Sequence, residues 1–129
     1  MRRDMDVVRE LLLRLEAVPM RAGSAAMLPL NRPPLVLDGD EVDEIAYNLR
    51  LLTDAGFLNL TKNQGADTIG ILGLTWQGHE FLDTVRDPEI WHKTKEGAKK
   101  AGGFTVGLLS DLAKGLIKTQ IEKHTGVKL

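Results

Sequence analysis

The sequence predicts an α+β, mostly helical fold: a winged helix-turn-helix-like core followed by a C-terminal helical extension. Three observations predict it. Apolar residues recur with a helical period over residues 4–18, 41–55 and 105–124. Two short apolar runs, 57–61 and 68–74, flank the polar, glycine-containing stretch 62–67, which is the pattern of a β-hairpin. The resulting order of helix, short strand, helix and hairpin, with a further helix after it, is that of a winged helix.

In the first helix Met5, Val8, Leu12 and Leu15 fall on one face, with Leu11 widening the stripe and Asp4 and Asp6 in the first turn, where the helix dipole favours acids. Pro19 ends it. Residues 19–34 form a connector with Pro19, Gly23, Pro29, Pro33 and Pro34, long enough to be either mobile or used. Leu35-Val36-Leu37 is too short for a helix and reads as a strand. Asp40 is placed to cap the helix 41–55, whose stripe is Val42, Ile45, Leu49 and Leu52. Gly56 suits the left-handed position after it, and Phe57 is its apolar partner. Beyond the hairpin, Thr75 can cap a helix carrying Phe81, Leu82 and Val85. Asp87-Pro88 opens another, with aspartate at the cap and proline at the first position, running to about Lys100. Gly102-Gly103 breaks it. The last helix carries Val106, Leu109, Leu112, Ala113, Leu116, Ile117 and Ile121, and Gly126 closes it. Trp76 and Trp91 are expected to be buried between the hairpin and the later helices; the competing reading is a partner-binding aromatic.

The chain has 129 residues, 43% of them hydrophobic and 27% charged, which suits one globular domain with a real core. It contains no cysteine, which excludes disulfides, thiolate metal sites and a cysteine nucleophile and fits a reducing cytoplasm. The N-terminal MRRDMD and the charges at Arg9, Glu10 and Arg14 exclude a signal peptide or a membrane span there. The net charge of −1 hides a division: residues 1–90 hold 9 Lys+Arg against 15 Asp+Glu, and residues 91–129 hold 8 against 3. The expected organisation is therefore a winged-helix core over 1–90 and a basic helical extension over 91–129, packed on the core or used as an interface.

Three segments carry a family resemblance. MRRDMDVVRELLLRLE at the start, EIAYNLRLLTDAGFL over residues 44–58 and LTWQGHEFLDTVRDPEIWHKTKE over residues 74–96 resemble a bacterial and prophage family known as a domain of unknown function. The middle segment also looks like the helix-to-wing passage of bacterial winged-helix regulators. The resemblance runs over roughly residues 1–100 and more loosely into the last helix; its most specific part is LTWQGHEFLD with Arg86-Asp87 and Trp91 after it. It implies a winged-helix fold and carries no activity with it.

Catalytic chemistry has little support in the residues. His79, His92 and His124 lie in three different segments, and His79-Glu80 lacks the second histidine of a zinc-protease motif, with Asp83 in its place. Asp38, Asp40 and Asp43 fail the calcium-loop spacing because Val42 takes a ligand position. The glycines and lysines of 97–103 lack phosphate-loop spacing, and Ser24 and Ser110 have neither an elbow nor a nearby histidine. No enzyme, metal, cofactor or small-molecule substrate is expected.

Two binding readings remain. A helix that reads DNA presents its N-terminus to the duplex, yet the candidate here opens with Asp38, Asp40, Glu41, Asp43 and Glu44, offset only by Arg50 before Asp54. The leading expectation is a non-catalytic winged-helix module in the cytoplasm that works through protein contacts and self-associates, with Leu109, Leu112, Leu116, Ile117 and Ile121 as its interface. That stripe has two other possible uses: folding back on the core, or lying on a membrane surface. Gly107 and Gly115 each cost this helix about 1 kcal/mol relative to alanine, which suggests close helix approach or stability from packing. The alternative is a DNA-binding transcriptional regulator of a prophage or mobile element, touching phosphates through Lys93, Lys95, Lys99, Lys100, Lys114 and Lys118.

Overall fold

Asp4 starts the first helix, α1 (Met5–Glu16), by accepting hydrogen bonds from the backbone N–H of Asp6 (3.0 Å) and Val7 (3.3 Å). The computed structural model describes residues 2–36, 39, 41–62 and 64–129. After α1 come β1 (Ala26–Pro29), α2 (Val42–Asp54), β2 (Leu58–Leu60), β3 (Thr68–Leu74), α3 (Trp76–Val85), α4 (Pro88–Ala101) and α5 (Val106–Thr125). The fold is α+β and mostly helical, as the periodicities predict, with a single small antiparallel sheet among the described residues. The chain divides into two compact units, Met1–Glu80 and Phe81–Leu129.

In the first unit, α1 packs against α2 and β3, and α2 against β2. The core is built from Val7, Val8, Leu11, Leu12 and Leu15 of α1, Ile45, Leu49 and Leu52 of α2, and Leu58, Ile69 and Ile71 of the sheet. Among the described residues Asn48 is the one buried side-chain amide, and it lies between the two helices. Its Oδ1 accepts from the Asp4 N–H (3.0 Å) and its Nδ2 donates to the Glu44 carbonyl (2.9 Å), so the start of α1 is tied to the middle of α2. Gly56 takes the left-handed conformation (φ 81°) after α2, and the Phe57 N–H closes back on the Leu52 carbonyl.

Two local expectations are corrected. The cap of α2 is Glu41, whose carbonyl accepts the first helical bond from Ile45 and whose side chain makes no capping bond; Asp40, the expected cap, lies outside the described residues. Residues 35–36 are not a strand. The N–H groups of Leu35 and Val36 both donate to the Arg32 carbonyl, which makes a turn, and Leu37 lies outside the described residues. The turn is pinned from α1: the Arg14 guanidinium donates to the carbonyls of Pro34 (3.3 Å) and Val36 (3.1 Å), and Leu35 is fully buried. The first strand lies earlier, at Ala26–Pro29 inside the connector, where proline is tolerated because β1 is an edge strand.

The sheet order is β1-β3-β2. Met27 pairs with Gly70 across β1 and β3, and Leu58 and Asn59 pair with Leu74 and Gly73 across β2 and β3. The register then shifts so that Leu60 pairs with Ile71, leaving Leu72 as the extra residue of a bulge beside Gly73 (φ 135°). Gln64 closes the hairpin. Its amide nitrogen donates to the carbonyls of Thr61 (2.8 Å) and Gly70 (3.2 Å), and its oxygen accepts from the Gly70 N–H (2.9 Å).

In the second unit, the Asp87 carboxylate caps α4 through the Ile90 N–H (2.9 Å), with Pro88 in the first turn, and Thr105 caps α5 through the Leu108 N–H (3.1 Å). Gly102 and Gly126 end these helices in left-handed conformations. The short connection makes α4 and α5 packed neighbours. Ile90, Trp91, Thr94 and Ala98 are buried on α4, and Leu109 and Ala113 on α5. No described helix is long and apolar enough to cross a membrane.

Candidate protein interface

The apolar stripe of α5 splits in two. Leu109 is fully buried and Leu112 half-buried, its Cδ1 lying 3.4 Å from where a Cβ on Gly97 of α4 would stand. These residues, with Ala113, are the seam between α4 and α5 and not a free surface. Leu116 and Ile117 are half-buried like Leu112, and Ile121 is exposed, so the stripe opens toward its C-terminal end. Gly107 and Gly115 face open space, so no other helix of this chain approaches them closely.

The candidate phosphate-binding lysines differ in their freedom. Lys93 pairs with Glu89 (3.3 Å), and the Lys95 ammonium stands 5.7 Å from the centre of the Trp91 ring. Lys99, Lys100, Lys114 and Lys118 are exposed. Glu41, Asp43 and Glu44 at the start of α2 are exposed as well, so the acidic character read from the sequence is displayed at the surface; Asp38 and Asp40 lie outside the described residues.

The two tryptophans have opposite fates. Trp91 is 4% exposed, as expected, whereas Trp76 is 79% exposed, against the expectation that both are buried. The reason is local. Thr75 caps α3, its hydroxyl accepting from the Gly78 N–H (3.0 Å) and donating to the Gly56 carbonyl. Gly78 lies so close to the Phe57 carbonyl that a Cβ would collide with it. The Gly78 side of the first α3 turn is therefore held against the α2–β2 corner, and Trp76, two residues earlier, projects away from it. His79 of the same turn lies 3.5 Å from the Glu16 carboxylate.

The sheet also exposes large apolar side chains that sequence reasoning did not single out. Leu72 is 50% exposed and Met27 56%, and Met20 is also exposed. Met27 stands opposite Gly70, and the Met20 methyl lies 3.6 Å from where a Cβ on Gly73 would be. The signal was in TIGILGL: apolar residues at both parities of a strand leave neither face polar.

The remaining polar groups are dispersed. His92 pairs with Glu96 (3.2 Å), His124 lines a cleft of about 210 Å³ with Glu89 and Lys123, and no group of three metal-ligating side chains forms among the described residues. Another cleft, of about 220 Å³, lies between α2 and the hairpin, lined by Arg50, Asp54, Gln64 and Ile69 among others. Both are smaller than the roughly 300–1,000 Å³ of usual small-molecule sites.

Comparison with known proteins gives a family and no activity. Residues 2–104 match the family described as "Hypothetical protein (DUF2513)". A protein of Haemophilus influenzae described as "Uncharacterized protein" is 27% identical over 124 residues, covering 94% of this chain and 99% of that one. No solved structure matches the chain significantly.

Proposed function

The chain belongs to the DUF2513 family, and on that premise we propose that it is a non-catalytic binding module of the cytoplasm, built on a winged-helix core, that acts through protein contacts and self-associates. The order α1, β1, α2, β2, β3 with the sheet order β1-β3-β2 supports the winged-helix reading. The helix that usually precedes the reading helix is replaced here by the turn that Arg14 pins.

The observation that carries the reading is Trp76. A tryptophan that is 79% exposed leaves a large apolar ring in water, and tryptophan is the residue type most enriched at the energetic centres of protein interfaces. The exposed carboxylates at the start of α2 oppose docking of that helix into a phosphate-lined groove.

One observation favours the second reading, a DNA-binding regulator: Lys99, Lys100, Lys114 and Lys118 are all exposed in the second unit. Light scattering with and without a random-sequence duplex, at low and moderate salt, separates the two. The expected result is a mass that ignores the duplex. A mass increase at low salt that fades as salt rises, and that Lys99→Glu with Lys100→Glu removes, decides for DNA.

A further inference from the structure

We propose that the outer face of the β1-β3-β2 sheet is the self-association surface, covered face to face by a second copy of this chain. The inference rests on the self-associating reading above and moves the contact from α5 to the sheet.

The strands Ala26–Pro29, Leu58–Leu60 and Thr68–Leu74 contain no Asp, Glu, Lys or Arg. Their inner side, against which α1 packs, buries Leu58, Ile69 and Ile71. Their outer side presents Met27 and Leu72, with Met20 beside Gly73. Trp76 follows Leu72 by four residues, so the two lie within about 14 Å along the chain. Taking about 200 Å² for a whole side chain, the exposed parts of Met20, Met27, Leu72 and Trp76 amount to roughly 450 Å². A standard interface takes about 800 Å² from each partner, a little over half of it apolar. The patch therefore supplies close to the apolar share of one side.

A second copy is the occupant that this chemistry favours. In a two-fold contact residue i meets residue j and residue j meets residue i, so a charged face must carry its own complement, and a charge near the axis meets its own copy. An uncharged face escapes that repulsion. It also offers a charged partner nothing to pair with. The exposed carboxylates of Glu41, Asp43 and Glu44 belong to α2, which packs with α1, and not to the sheet. Methionine adapts its shape to an apolar partner, which suits a contact made by two of them. Edge-to-edge pairing is the poorer route, because β2 has three residues and β1 ends in Pro29.

Sedimentation of the full chain across a range of concentrations tests this, with Leu72→Lys and Met27→Lys as sheet variants and Ile121→Lys as the α5 variant. The expected wild-type mass is twice 14.2 kDa. Each sheet variant should weaken the dimer about 100-fold or more with unchanged circular dichroism, and Ile121→Lys should leave it intact. Acrylamide quenching of tryptophan emission should rise as the wild type is diluted, because Trp76 is uncovered. If Leu72→Lys fails to fold, Leu72→Thr carries the same test. A dimer that survives both sheet variants and dissolves in Ile121→Lys overturns the sheet assignment and keeps self-association. A wild-type monomer at every concentration overturns both.

Discussion

Gly78 shows how much one residue decides. Its missing Cβ lets the first turn of α3 approach the Phe57 carbonyl, and the Thr75 hydroxyl bridges the same corner to Gly56. Gly78→Ala should therefore cost about 1–3 kcal/mol through overpacking against backbone that cannot rotate away, read as a lower urea midpoint with little change in slope. This gives physical content to the segment LTWQGHEFLD: Thr75 is a cap, Gly78 a close approach, His79 a partner for Glu16, and Trp76 the side chain left outside. The threonine cap was legible from position alone. The exposure of Trp76 was not, because sequence pattern gives an aromatic residue a helix but not the face that a neighbouring glycine will dock.

At the scale of elements, caps and stop signals were legible and the connector was not. Asp87 caps its helix and Gly56, Gly102 and Gly126 end theirs as expected, because these residues act on backbone groups within a few positions of themselves, whereas Asp4, expected inside the first turn, is itself a cap and α2 starts from Glu41 in place of Asp40. The connector hid its strand because Ala-Met-Leu-Pro has no alternation and ends in proline, and its partner β3 is about 40 residues away in the chain. Its anchoring by Arg14 is likewise a long-range bond between a helix side chain and turn carbonyls. In α5 the glycines are a simple cost: Gly115 faces open space at a helical position, so Gly115→Ala should stabilise the protein by about 1 kcal/mol, seen as a rise of a few degrees in Tm. Had Gly115 served close packing, the same change would lower Tm.

For the whole molecule, the division of charge does not coincide with a division into core and tail. α4 and α5 pair with each other, and the buried residues of the last helix are Leu109 and Ala113. Of the expected interface residues Leu109 alone is fully buried, while Met27 and Leu72 expose apolar surface on the sheet of the first unit. Amphipathic periodicity identified α5 as having an apolar face; it could not tell that α4 would take most of that face, because α4 shows its own stripe no differently from any surface helix. The sheet, with no acid or base along any of its three strands, also sets how the proposed outer contact should respond to conditions. Nothing in it titrates, and no ion atmosphere need be displaced to cover it. The apolar centre of such a contact should depend weakly on acid and sodium chloride, strengthen in sulfate, and loosen on cooling as the ordering of water around bare methionine, leucine and indole ceases to drive it. A module joined this way reads temperature where one joined by ion pairs reads salt, and a dilution series at 5 °C and 30 °C should show the difference directly.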